Sequence, residues 1–241
     1  MHPNQNPKLD DPALLASLEA KVTILKADLA AAVAEFPAIT MANSLGAEDM
    51  VLTDVIATSK LAIEIFSLDT GRLPLETYDL MAKVQAHYGL KLKFYYPNHE
   101  AVESFTRENG INGFYDSVAL RKACCHARKV EPLGRALAGK QAWITGLRAE
   151  QSTTRTDLPK QQFDEGNGLI KLNPLSAWSE KEVWAYIRLN KVPYNALHDK
   201  FYPSIGCAPC TRPVSIGEDV RAGRWWWENP ETKECGLHVK K

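Results

Sequence analysis

The sequence predicts an α/β fold built on a parallel sheet, and two observations carry that reading. Short apolar runs recur at residues 39–42, 61–68, 92–96, 142–146 and 169–172. The segments between them repeat their apolar residues at helical rather than alternating spacing, as crossover helices do. That alternation of runs and helical segments suits parallel strands covered by helices on each side. The 241 residues, 45% hydrophobic, suffice for one buried domain with an appendage.

Taken in order, the chain opens with a polar stretch and then an Ala- and Leu-rich segment over residues 14–36, closed by Pro37 and read as one long helix. After the first strand, Ala47, Met50, Val51, Val55 and Ile56 fall on one helix face. Ser179 followed by Glu182 forms a capping box ahead of Val183, Trp184 and Ile187. Beyond Pro193 the periodicity weakens and Pro, Gly, Cys and aromatic residues crowd together, ending in Trp225, Trp226 and Trp227 and a charged tail. The expected division is a helical segment at 1–36, an α/β domain at 37–192, and a C-terminal cysteine-bearing segment with a mobile tail at 193–241.

Charge and composition exclude some partners. Lys and Arg total 29, as do Asp and Glu, so no global field invites nucleic acid or an anionic membrane. The first twelve residues contain no apolar leader core, and no later run approaches a bilayer span, so a cytoplasmic protein is expected. Five cysteines do not make a secreted disulfide framework. The oligomeric state is left open, because an amphipathic first helix packs equally well on its own sheet or on a second copy.

In an open α/β sheet, ligands bind at the carboxyl ends of the strands, which directs attention to three loops. The first, Ser44-Leu45-Gly46-Ala47-Glu48-Asp49, combines small residues with a helix N-terminus that can receive a phosphate or sulfate; an ordinary βα turn reads the same way. The second, Ser67-Leu68-Asp69-Thr70-Gly71-Arg72, offers an acceptor, a hydroxyl and flexible backbone to a ribose or adenine edge. The third runs from Gly146 through Arg148, Gln151 and a string of hydroxyls to Arg155. Arginine forks pair with phosphate in bidentate fashion, although solvated loop charges look alike in sequence.

The cysteines divide four to one. Cys124 and Cys125 are adjacent, Cys207 and Cys210 form a CxxC pair, and Cys235 stands alone near the end. Two distant pairs suit a 4Fe-4S cluster, whose irons each take one sulfur. Tetrahedral zinc, a redox dithiol and inert buried thiols are the alternatives. Arg121, Lys122, Arg128, Lys129 and Arg212 lie close in sequence to the cysteines and would balance a net negative cluster, with Lys129 the one chosen to serve a bound sulfate instead. Cys235 sits in Glu-Cys-Gly-Leu-His; thiolate is the reactive form, so Arg221, Arg224 and His238 would raise its reactive fraction. An inert tail cysteine is the plain alternative.

These segments together resemble the assimilatory sulfonucleotide reductases in their cluster-bearing, bacterial adenylyl-sulfate reductase form. The resemblance rests on Ser-Leu-Gly-Ala-Glu-Asp at 44–49, Leu-Asp-Thr-Gly-Arg at 68–72, Cys-Cys-His-Ala-Arg-Lys at 124–129 and Gly-Leu-Arg-Ala-Glu-Gln at 146–151. Further along it continues through Asn-Pro-Leu-Ser-Ala-Trp-Ser at 173–179, Gly-Cys-Ala-Pro-Cys-Thr at 206–211 and Glu-Cys-Gly-Leu-His at 234–238. It implies a Rossmann-like adenine nucleotide α-hydrolase fold in which Ser44 to Asp49 occupy the place of a pyrophosphate loop, without its double glycine or lysine.

The activity implied is reduction of adenosine 5'-phosphosulfate to sulfite and AMP through an S-sulfocysteine at Cys235. Catalysis would be served by Lys129, Arg221, Arg224 and His238, and Lys129, Arg148, Arg221 and Arg224 are the candidate cations for stabilising the charge that builds on the leaving phosphate. Ser44, Gly46, Leu68, Asp69, Thr70, Gly71, Arg148, Gln151 and Arg155 would bind the nucleotide, and Cys124, Cys125, Cys207 and Cys210 would hold one 4Fe-4S cluster. With four thiols committed, thioredoxin or a similar dithiol protein would supply the electrons. The rivals are a 3'-phosphoadenosine 5'-phosphosulfate reductase and an ATP pyrophosphatase-type adenylating enzyme on the same fold.

Overall fold

A computed structural model describes residues 5–151, 158–229, 231 and 233. The first helix, α1 (Pro12–Glu35), is started by Asp11, whose carboxylate accepts from Ala13 N at 3.0 Å, and by Pro12 in the first turn. Proline there lacks an N–H that would have gone unsatisfied, and Pro37 prevents continuation. Five parallel strands follow in the expected places: β1 (Ile39–Ala42), β2 (Glu64–Leu68), β3 (Lys93–Tyr95), β4 (Ala142–Ile144) and, after an intervening strand, Leu169–Leu172. That intervening strand is β5 (Gln161–Asp164), making Leu169–Leu172 β6.

The sheet order is β3-β2-β1-β4-β6-β5, with β5 antiparallel to β6 and every other pair parallel. The sequence reading missed β5. Its residues, Gln-Gln-Phe-Asp, are exposed or half-buried in alternation, because an edge strand of a hairpin has no second neighbour to bury it. The parallel strands are read easily for the opposite reason: Met41, Phe66, Ala142 and Ile144 are fully buried.

Helices cover both faces. The larger core joins α1 to α2 (Ala47–Thr58), α3 (Leu75–Tyr88) and α7 (Glu180–Leu189) through Leu25, Leu29, Met50, Val55, Leu80, Val84 and Val183. On the opposite face Phe66, Trp143 and Leu169 pack against Leu133, Ala136 and Leu137 of α6 (Glu131–Leu137). The capping box at Ser179 forms as read, and it has a second use. Glu182 also accepts from Lys21 Nζ at 2.7 Å and Ser17 Oγ at 2.7 Å, tying α1 to the start of α7. Among the described residues, no helix is long and apolar enough to cross a membrane.

Between β3 and α6 lie α4 (His99–Asn109) and α5 (Val118–Cys125), and α5 runs into one π turn at His126–Val130 before α6. The strand order reverses between β1 and β4. The loops leaving those two strands therefore face each other across a crevice at the carboxyl edge of the sheet.

Candidate active site

Both loops at the crevice are held by a single carboxylate. Asp49 Oδ2 accepts from the Ser44 amide and the Ser44 hydroxyl, each at 2.6 Å, while the Gly146 amide also donates to this carboxyl group. Burial raises the Asp49 carboxyl from 3.8 to about 6 against the lowering effect of the Ser44 bonds. Asn43 Oδ1 accepts from Leu45 N at 2.6 Å, holding Leu45 at φ 64, a left-handed conformation uncommon for a non-glycine residue. A Cβ at Gly146 would stand 2.3 Å from Asp49 Oδ1, so only glycine lets the two loops meet.

Above this strap lies a cavity of about 210 Å³ lined by Ser44, Ser67, Leu68, Thr70, Lys129, Thr145, Gly146 and Gln151, with Phe66, Leu73, Met81 and Trp143 among its apolar walls. Such a mixture suits a flat heterocycle with a few polar edges. Ser67 Oγ is buried here without a hydrogen-bond partner. A second, more polar cavity of about 550 Å³ adjoins it, lined by Ser44, Gly46, Lys129, Arg148, Gln151, His198, Arg221 and Arg224. Of the nucleotide-binding residues expected from sequence, Leu68 and Thr70 line the first cavity, Gly46 and Arg148 the second, and Ser44 and Gln151 both, whereas Asp69 and Gly71 line neither.

Two of them are already committed within the protein. Asp69 Oδ1 accepts from Gly71 N and from the Tyr78 hydroxyl, each at 2.8 Å, closing its own loop; burial and this bond push the Tyr78 hydroxyl up to about 12. Arg148 is buried and bridges Glu48 and Glu150, each at 2.8 Å, so its charge is balanced before any ligand arrives. Gly71 takes φ 69, which lets Arg128 Nη1 approach and donate to Thr70 O at 2.6 Å.

The four cysteines Cys124, Cys125, Cys207 and Cys210 line one small chamber with Arg72, Phe114, Arg121, Arg128, Lys129 and Pro209. Cys124 and Cys125 end α5; Cys207 and Cys210 sit on a short turn pinned to the second loop by Ala208 N donating to Arg72 O at 2.8 Å. Thr70 Oγ1 lies 3.2 Å from Cys207 Sγ. Burial raises the Cys124 thiol and pushes Cys210 up to about 12, while Arg128 acts to lower the first and Lys129 and Arg224 the second.

Lys129 lines this chamber and both cavities. It stands in the π turn, whose hydrogen bond runs from Glu131 N to His126 O, five residues back. Arg121 and Arg128 also reach the chamber, but Lys122 is exposed and Arg212 instead pairs with Glu218 at 3.0 Å; neither belongs with the cations expected around the thiols.

Arg224 enters from the C-terminal segment, its Nη1 donating to Ser204 Oγ and Ile205 O, each at 3.3 Å, over Gly206. Arg221 Nη2 donates to Lys233 O at 3.1 Å. Cys235, His238 and Arg155 lie outside the described residues. The sequence reading passed over Asp49 as a strap, Gly206, Trp225 and Glu228. The motif Ser44 to Asp49 contained the first, but nothing local marks an acceptor for an amide some hundred positions away.

With this geometry, the comparison with known proteins is decisive. Residues 38–213 match the phosphoadenosine phosphosulfate reductase domain. The chain belongs to this family. A protein of Allochromatium vinosum named adenosine 5'-phosphosulfate reductase is 61% identical over 207 residues, covering 86% of this chain and 81% of the relative. One of the same name from Burkholderia cepacia is 52% identical over 94% of this chain and 91% of its own length. The crystal structure of a phosphoadenylyl-sulfate reductase from Candida auris, a phosphate complex, superposes with TM-score 0.68 at 34% identity, covering 79% of this chain and 90% of that one. A Candida glabrata FMN adenylyltransferase superposes with TM-score 0.61 at 13% identity, covering 96% of this chain and 82% of that one, a likeness of fold alone.

The family setting allows the chamber to be tested for fit to an iron-sulfur cluster. Its protein donors are four sulfurs with no carboxylate or imidazole among the lining residues, and four cations surround them. The indole N–H of Trp225, whose backbone N donates to Cys210 O at 3.1 Å, is buried without a hydrogen-bond partner. Among the described residues, no three His, Cys, Asp or Glu groups converge as a single-ion site. Sulfurs distributed around a cationic chamber suit a net anionic cluster, whose irons would displace the protons that burial favours on Cys124 and Cys210.

Proposed function

We propose that this protein reduces adenosine 5'-phosphosulfate to sulfite and AMP, with Cys235 as nucleophile and a thioredoxin-type dithiol as reductant. The observation that carries the reading is the position of Lys129, common to the thiol chamber, the apolar cavity and the polar cavity. A nucleotide with its base in the apolar cavity would present its phosphosulfate to Lys129, Arg221 and Arg224. The identity to proteins named adenosine 5'-phosphosulfate reductase, 48–61%, against 34% to the phosphoadenylyl-sulfate reductase, supports the nucleotide without a 3'-phosphate.

In the first step the Cys235 thiolate attacks the sulfur of the phosphosulfate. An S–S bond forms, the S–O bond to phosphate breaks, and AMP leaves with the electron pair. Negative charge grows on the bridging oxygen, and preplaced cations stabilise it without reorganising. Lys129 and Arg224 serve that role; the charge of Arg148 is spent on Glu48 and Glu150, leaving it to hold the third loop in place. A dithiol then attacks Cys235 Sγ. Sulfite departs, and the second thiol resolves the mixed disulfide, so two electrons pass from the dithiol to sulfur.

Cys124, Cys125, Cys207 and Cys210 would hold the 4Fe-4S cluster, which when bound supplies a fixed charge distribution beside Lys129. Lys233 is held by Arg221, and Cys235 follows two residues later, a reach of about 7 Å. Anaerobically purified protein should contain iron and acid-labile sulfide. Given substrate without reductant, it should carry one sulfonate on the peptide containing Cys235; consumption of nucleotide with no sulfonate there would refute the mechanism, and zinc without sulfide would refute the cluster.

A further inference from the structure

One buried ion pair has no place in that account. Arg121, on α5 one turn ahead of Cys124 and Cys125, donates to Glu228 through Nε at 2.7 Å and Nη2 at 2.8 Å. The two side chains are 1% and 2% exposed and lie 107 residues apart in sequence. Burying such a pair is costly, and an apolar pair of similar volume often serves stability as well, so fold stability does not explain it. A bidentate fork does provide something an apolar contact lacks: it fixes direction and register between the segments it joins.

Those segments are the ones the reaction has to align. Glu228 lies three residues beyond Trp225 and four beyond Arg224, and its amide donates to Trp225 O at 2.9 Å. The indole of Trp225 carries the Arg121 guanidinium at 4.7 Å and the Arg224 guanidinium at 4.8 Å from its centroid. Trp225 takes φ 42, a left-handed conformation that the surroundings must hold for a bulky side chain. Upstream, Thr211 bridges to Arg224 and Trp225 N reaches Cys210 O. Arg121 itself also contacts Cys125.

We propose that Arg121 and Glu228 are a positioning pair, locking the arm that carries Arg224, Trp225 and Glu228 to the cysteine-bearing end of α5 so that Arg224 meets the substrate in one register. The proposal rests on the reading above for its chemical consequence, but the placement of the arm can be measured without it. Neither residue touches substrate in this scheme; each acts through Trp225 and Arg224.

The test uses anaerobic holoenzyme carrying E228Q, which keeps the shape but weakens the fork, and R121M/E228L, which removes the charges together and preserves burial. Three quantities are measured: iron and sulfide content, affinity for AMP, and the single-turnover rate of sulfonate transfer to Cys235, with hydrogen exchange followed over residues 221–233 and α5. E228Q should keep metal content and AMP affinity within about threefold while transfer falls by about a hundredfold, the scale of an ångström-sized misplacement; R121M/E228L, which also takes a cation from the thiol chamber, is read by exchange alone. Exchange in the arm should rise at least tenfold with α5 unchanged.

Wild-type exchange in the arm of both variants would overturn the proposal, as would loss of iron in step with transfer, because the pair would then be supporting the chamber rather than the arm. If wild-type protein itself puts no sulfonate on Cys235, the mechanism above fails, while the exchange comparison still decides the role of the pair.

Discussion

Gly206→Ala separates placement of Arg224, the cation proposed to act on the phosphosulfate, from stability of the fold. A Cβ at residue 206 would stand 2.2 Å from Arg224 Nη2 and 2.6 Å from its Cζ, against about 3.4 Å for ordinary contact. The guanidinium must therefore retreat by 3.4 − 2.2, about 1.2 Å, breaking its 3.3 Å bonds to Ser204 Oγ and Ile205 O. The obstructed atoms are the end of a flexible side chain, so the fold can accommodate the methyl group, and alanine reduces the entropy of the unfolded chain by a few tenths of a kcal/mol. Thermal unfolding should move by less than about 4 °C. An ångström-scale displacement of a cation at the reacting phosphate, by contrast, should cost about a hundredfold in single-turnover transfer, or about 2.7 kcal/mol. A double-mutant cycle with R224A sharpens the assay: once Arg224 is absent, Gly206→Ala should cost nothing further. Full activity in the single variant, or additive losses in the double, would refute the assignment of Arg224 and of Gly206 as the space it occupies.

Gly146→Ala should behave differently, because its Cβ would meet Asp49 Oδ1 at 2.3 Å and the Asp49 backbone N at 3.2 Å; a loss of about 1–3 kcal/mol in urea unfolding is expected, together with weakened AMP binding. Asp49 also sets a pH dependence. Its folded pKa of about 6 exceeds the ordinary 3.8, so the folded state gains relative stability below pH 3.8 and loses it as pH rises through 6, by about 3 kcal/mol in all. Comparing urea unfolding of wild type and D49N from pH 4 to 7 should show this slope in wild type only. Ser179→Ala removes the acceptor for Glu182 N and should lower the unfolding temperature by about 2–4 °C, leaving sulfonate transfer unchanged.

How much was legible in the sequence follows from how local each signal is. The parallel strands, α1, the capping box at Ser179 and the pairing of cysteines into two sets are written in runs and spacings of a few residues, governed by burial on both sheet faces and by helix-end chemistry. The motifs around Ser44, Cys124, Gly146 and Cys207 likewise named the family, because their order along the chain is itself a specific signal. Strand β5 escaped for a local reason too, since an exposed edge needs no apolar run.

Only the folded arrangement decided how each charge is held. Arg148 and Arg224 look alike as basic residues in polar loops and both line the polar cavity, yet Arg148 is paired with Glu48 and Glu150 while Arg224 is held by Ser204 Oγ and Ile205 O over Gly206. The meeting of Lys129 with the cysteine chamber and both cavities, the Asp49 strap to Gly146 and the fork joining Arg121 to Glu228 are likewise absent from any local pattern. Each joins groups that the fold brings together, and a side chain's charge becomes a functional property only when its partners are known. The sequence determined the architecture and the inventory of reactive groups; tertiary packing decided which of them are balanced, which are aligned, and where they meet.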